Sequence, residues 1–62
     1  MPVIRVEMFK RTQEQKRNLV RELTKSFVYT CGGNEDAIKI LITEVDENNW
    51  ASGGIITADK KN

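Results

Sequence analysis

The chain reads as an α+β protein: a single short βαβ unit with parallel strands and a right-handed crossover, followed by a C-terminal β-hairpin and completed by oligomerisation. Three observations predict it. Val3 to Phe9 alternates apolar and charged residues, Thr12 to Cys31 carries a capped amphipathic helical pattern, and Ala37 to Val45 is a β-branched, nearly continuous apolar run. A strand, a helix and a strand in that order form a βαβ unit, whose crossover is right-handed in nearly all cases.

In the first strand Ile4, Val6 and Met8 fall on one face while Arg5 and Glu7 fall on the other, as a half-buried strand requires. The helix opens at Thr12-Gln13-Glu14-Gln15, where a Thr is followed three residues later by Gln. The hydroxyl can cap the helix and the amide can reach back to the cap residue. Leu19, Val20, Leu23 and Phe27 then recur along one face, with Lys16, Arg17, Arg21, Glu22 and Lys25 largely outside, over about four turns. Gly32-Gly33 ends the helix near Thr30 or Cys31, because glycine readily takes the positive φ common after a helix C-terminus.

Gly33 to Asp36 is a turn, and the second strand covers Ala37 to Val45, apolar enough to be covered on both faces. Asp46 to Asn49 is a loop in which Asn48 and Asn49 receive no role. Trp50 to Ile56 holds a small hairpin around Gly53-Gly54, and Asp59 to Asn62 reads as a frayed tail of a single domain spanning 1–62.

Sixty-two residues bury only about 60% of the surface that the unfolded chain exposes, so stability as a monomer is marginal. Disulfides, metals or oligomerisation normally compensate. One cysteine, Cys31, and no histidine leave no internal bridge, no ordinary zinc set and no His-dependent catalysis. Oligomerisation remains. If Ile38, Ile40 and Ile42 face the helix, Leu41, Thr43 and Val45 face away with nothing from this chain to cover them, so another subunit is expected there. A net charge of +1 gives no argument for nucleic acid or a membrane surface. No apolar stretch is long enough for a signal peptide or a span, and a soluble cytoplasmic protein is expected.

Pro2 is the residue with the sharpest chemistry. Once Met1 is removed, its nitrogen changes from an amide into a secondary amine. An α-amino group titrates at about 7.7–8.0, and desolvation or nearby cations favour the neutral form that accepts a proton. A general base works best with a pKa near the working pH. Met-Pro also begins many ordinary proteins, so the rest of the chain has to supply the context. Arg11, before the helix, is by itself an ordinary solvated loop residue, but with Pro2 it makes a base and an anion clamp. Lys39, between Ile38 and Ile40, must snorkel, pair with an acid such as Glu44 or bind a ligand, and ligand binding is favoured. Trp50 packs in a core or an interface, which is compatible with walling a pocket. Cys31 has no activating partner, and Gly53-Gly54 lacks the helix and lysine of a phosphate loop. Glu44 shares the helix-facing parity, so structural pairing is expected of it rather than proton transfer.

Pro2 at the start of a strand, the run Arg11-Thr12-Gln13-Glu14-Gln15-Lys16, the strand ending Leu41-Ile42-Thr43-Glu44, and an aromatic followed by Gly53-Gly54 together resemble the 4-oxalocrotonate tautomerase family. The resemblance covers essentially the whole chain. It implies short βαβ subunits assembled as homohexamers, trimers of dimers, with a terminal proline as general base and neither cofactor nor metal. It assigns proton transfer to Pro2, carboxylate binding to Arg11 and a pocket wall to Trp50. Lys39 stands where the family has a second arginine, which keeps the charge but loses the planar fork. Lys10 stands where the family often has glycine.

The expected activity is tautomerisation of 2-hydroxydienoates or enolpyruvate-type acids, with a small carboxylate-bearing enol as partner and with Lys39 steadying the enolate. Lys39 is expected to favour simpler enol acids over dicarboxylates. Hydratase, dehalogenase or decarboxylase-like outcomes on the same fold stay open, as does a non-enzymatic oligomeric binding protein.

Overall fold

In a computed structural model that describes residues 1–60, β1 (Val3–Phe9) and β2 (Lys39–Val45) form a two-stranded parallel sheet joined through α1 (Gln13–Cys31). The register pairs Val3 with Lys39 and runs without a bulge to Phe9 opposite Val45. Ile4, Val6 and Met8 alternate with more exposed neighbours, as do Ile40 and Ile42. The period-2 reading of both strands therefore holds.

The helix begins where the Thr-x-x-Gln pattern places it. Gln15 N–H donates to Thr12 Oγ1 at 3.1 Å, and Thr12 N–H donates to Gln15 Oε1 at 3.0 Å. At the other end Gly32, at φ 80°, donates its N–H to the Val28 carbonyl at 2.8 Å. The 19 residues amount to just over five turns rather than four. The apolar stripe covers only the middle of the helix, while the hydrogen-bonded ends extend beyond it.

β2 starts at Lys39 rather than Ala37. Asn34 caps a short 3₁₀ turn over Glu35–Ala37, its side chain accepting the Asp36 N–H at 2.9 Å. Such a local side-chain bond offers the backbone an alternative to the sheet. Asp46 does the same for a 3₁₀ turn over Glu47–Asn49, accepting the Asn48 N–H at 2.8 Å, which gives Asn48 and Asn49 their place in the fold. The hairpin pairs β3 (Ala51–Ser52) with β4 (Ile55–Ile56) across Gly53 and Gly54. Both glycines have positive φ, 60° and 82°, the backbone that a tight hairpin turn of this hand demands. Asp59 and Lys60, at the front of the expected frayed tail, close a further 3₁₀ turn with Thr57, and Lys61 and Asn62 lie outside the described residues.

A chain of this shape has almost no interior. Among the described residues only Ile38, at 9% exposure, counts as buried. The radius of gyration is 15.2 Å, against about 11 Å for a compact chain of this length. The accessible surface is 5136 Å², where a folded monomer of this mass exposes about 4100 Å². On the sheet face turned away from the helix, Val3 and Leu41 are about half exposed, at 49% and 51%. No helix among the described residues is long and apolar enough to cross a membrane.

Candidate functional site

The parallel register sorts the four candidate residues into two groups at opposite ends of the sheet. Pro2 and Lys39 share one end. Pro2 is half-buried immediately before β1, and its carbonyl accepts the Lys39 backbone N–H at 3.0 Å. Lys39 can start β2 there because the Glu35–Ala37 turn finishes two residues earlier, with Ile38 between. Its side chain shares the outward parity of Val3 and Leu41, and Nζ donates to the Asp36 carbonyl at 3.2 Å. The ammonium therefore rests on a backbone oxygen instead of the carboxylate of Glu44.

Arg11 and Trp50 occupy the other end. Seven strand steps separate Pro2 from Phe9, about 23 Å at roughly 3.3 Å per residue. Trp50 follows the Glu47–Asn49 turn, accepts the Thr57 N–H at 2.7 Å, and meets Phe9 edge to face with ring centroids 6.1 Å apart. It stays 45% exposed. Phe9, Met8, Val45 and Trp50 border a cleft of about 210 Å³. Phe9 was not singled out in the sequence, because its contact with Trp50 depends on where the Glu47–Asn49 turn returns the chain. A neighbouring cleft of about 440 Å³ is lined by Phe9, Arg11, Val45, Asn48 and Ala58.

Arg11 lies in the connection between β1 and α1, and its Nη1 donates to the Lys10 carbonyl at 3.1 Å. Beneath it stands Glu44. One carboxylate oxygen, Oε2, pairs with Lys16 Nζ at 2.9 Å and accepts the Arg11 backbone N–H at 3.5 Å. The Lys16 ammonium holds the Glu44 carboxyl below its ordinary range against the opposing effect of desolvation, and the Arg11 N–H adds a lesser pull in the same downward direction. Glu44 thus has the structural pairing expected from its parity.

Within one chain, then, the proline and lysine are brought together at one end of the sheet, while the arginine and tryptophan stand at the other end on separate clefts that share Phe9 and Val45. Met1, ahead of Pro2, is 88% exposed and packs against little.

Comparison with known proteins gives a consistent result. The sequence pattern of the tautomerase enzyme family matches residues 2–60. A probable tautomerase of Staphylococcus haemolyticus is 37% identical over 60 residues, covering 95% of this chain and 97% of the relative. Among solved structures, a 4-oxalocrotonate tautomerase homologue superposes with a TM-score of 0.91 at 33% identity over the whole of both chains. A heterohexamer 4-oxalocrotonate tautomerase from Chloroflexus aurantiacus gives a TM-score of 0.89 at 29% identity, covering 98% of this chain and 100% of that one.

Proposed function

The chain belongs to the tautomerase enzyme family, and on that premise we propose that, once Met1 is removed, Pro2 is the general base of a cofactor-independent tautomerase. The substrates are enol acids of the 2-hydroxydienoate or enolpyruvate type. The observation that carries this reading is the bond from the Lys39 N–H to the Pro2 carbonyl, which fixes a half-buried Pro2 beside the start of a cation-bearing strand. The bond uses the carbonyl, so the nitrogen is left for chemistry.

The neutral secondary amine takes the proton from the enol oxygen, and the O–H bond breaks as the C=O bond forms. The displaced π electrons move to carbon, the prolinium returns its proton there, and Pro2 ends the cycle neutral. Proton transfer by a positioned group contributes about 10²–10⁴-fold. Lys39 places a point charge by the developing enolate oxygen, and such preorganised charge is often the largest single contribution to rate. Arg11 grips the carboxylate with its planar fork, and Trp50 supplies an apolar wall.

Because Pro2 and Arg11 stand at opposite ends of the sheet, the complete site draws them from different copies in a homohexamer, a trimer of dimers. The scarcity of buried side chains and the half-exposed Val3 and Leu41 support assembly of this kind. Ketonisation of an arylenolpyruvate, followed by ultraviolet absorbance, tests the reading. Pro2→Ala must slow the processed enzyme, and equal rates refute the base. Mixing Pro2→Ala with Arg11→Ala subunits under conditions that exchange them must recover activity, and no recovery refutes the shared site.

A further inference from the structure

We infer, resting on the reading of Arg11 as the carboxylate clamp, that Glu44 is a positioning residue which sets where that clamp stands. Arg11 belongs to a connection of three residues, 10–12, between the last residue of β1 and the first of α1. A connection this short with an exposed guanidinium has little packing to define it. Its contacts are of two kinds. The Thr12–Gln15 capping pair and the bond from Arg11 Nη1 to the Lys10 carbonyl are local, and they move with the connection and the helix. Glu44 alone among these contacts reaches across from β2, 33 residues away in sequence.

That reach matters because β2 is paired to β1 along its full length and begins at Lys39, whose N–H holds Pro2. Oε2 takes Lys16 Nζ at 2.9 Å and the Arg11 N–H at 3.5 Å, so one oxygen ties both the first turns of the helix and the arginine backbone to the sheet. At 3.5 Å the second contact is longer than an ordinary N–H···O bond, so the Lys16 pair is the stronger of the two ties. An exposed ion pair as such contributes little to stability. A buttress that fixes the reference frame of a binding group has a larger consequence, since small misplacements of positioned groups are costly to catalysis.

The test compares Glu44→Gln, Arg11→Ala and the double variant in the processed, assembled enzyme, with assembly checked by sedimentation and with the free acid and methyl ester of one arylenolpyruvate as substrates. Glu44→Gln is expected to raise KM for the acid about fivefold, on the scale of one exposed charged contact, while kcat and the KM of the uncharged ester change little. In the Arg11→Ala background it must have no further effect, because it acts through Arg11. If Glu44→Gln fails to assemble, Glu44→Asp, which withdraws the charge by one methylene, gives the same comparison. A raised KM in Arg11→Ala with none in the Glu44 variant overturns this inference alone. An unchanged KM in Arg11→Ala overturns the clamp itself and the inference with it.

Discussion

Extending the chain ahead of Met1, so that Pro2 keeps a preceding residue, isolates the base from the fold. Met1 is 88% exposed, and the bond that seats Pro2 runs from Lys39 N–H to its carbonyl at 3.0 Å, so neither packing nor register depends on a free nitrogen. Stability should move by no more than about 0.5 kcal/mol, the usual range for a surface change. Activity should not be so tolerant. An amide nitrogen has no basicity, and loss of general-base catalysis costs about 10²–10⁴-fold, which is about 2.7–5.4 kcal/mol in the barrier. The assay is ketonisation of an arylenolpyruvate by extended and processed proteins, with thermal unfolding and intact mass measured on the same samples. Proteolytic release of the extension, leaving Pro2 first, must restore the rate. An extended protein that ketonises as fast as the processed one refutes the assignment of Pro2.

Lys39→Arg supplies a fork where the protein has a point charge, and it should raise kcat/KM for the dicarboxylate 2-hydroxymuconate by about tenfold relative to an arylenolpyruvate, the worth of one added charge-assisted hydrogen bond; an unchanged ratio refutes a role for Lys39 in substrate choice. Thr12→Ala removes the acceptor of the Gln15 N–H and should destabilise the fold by about 1 kcal/mol, read as a fall in Tm of about 4–8 °C under two-state conditions. Glu44 has a lowered carboxyl pKa in the folded state, so its contribution is present above the unfolded value and is lost as pH falls through the folded one. Acid unfolding monitored by circular dichroism should therefore be slightly less steep below about pH 4.3 in Glu44→Gln, a small change for an exposed pair, and a steeper acid limb in the variant counts against the lowered carboxyl.

The helix start was legible because a capping box is a local event: Thr12 and Gln15 satisfy each other's backbone whatever surrounds them. The strands were legible because their period of two assigns faces before any partner is known, and the same parity placed Glu44 toward the helix and Lys39 away from it. The beginning of β2 was not. Asn34 draws the backbone of Asp36 into a turn, and that competition does not show in the apolar run that follows. Nor did residue types disclose Phe9 as the neighbour of Trp50, since the contact depends on where the Glu47–Asn49 turn returns the chain.

What the sequence determined alone was the inventory and the order: a proline heading a strand, an arginine before a capped helix, a lysine in an apolar strand, and too few residues to enclose a core. Tertiary structure decided the distances. The parallel register carries both strands in one direction, so residues at their starts, Pro2 and Lys39, meet, while Arg11 and Trp50, beyond their ends, are held a full strand length away. Local chemistry can specify a turn or a face, but separation across a sheet is set by pairing between segments distant in sequence, and no single segment contains that information.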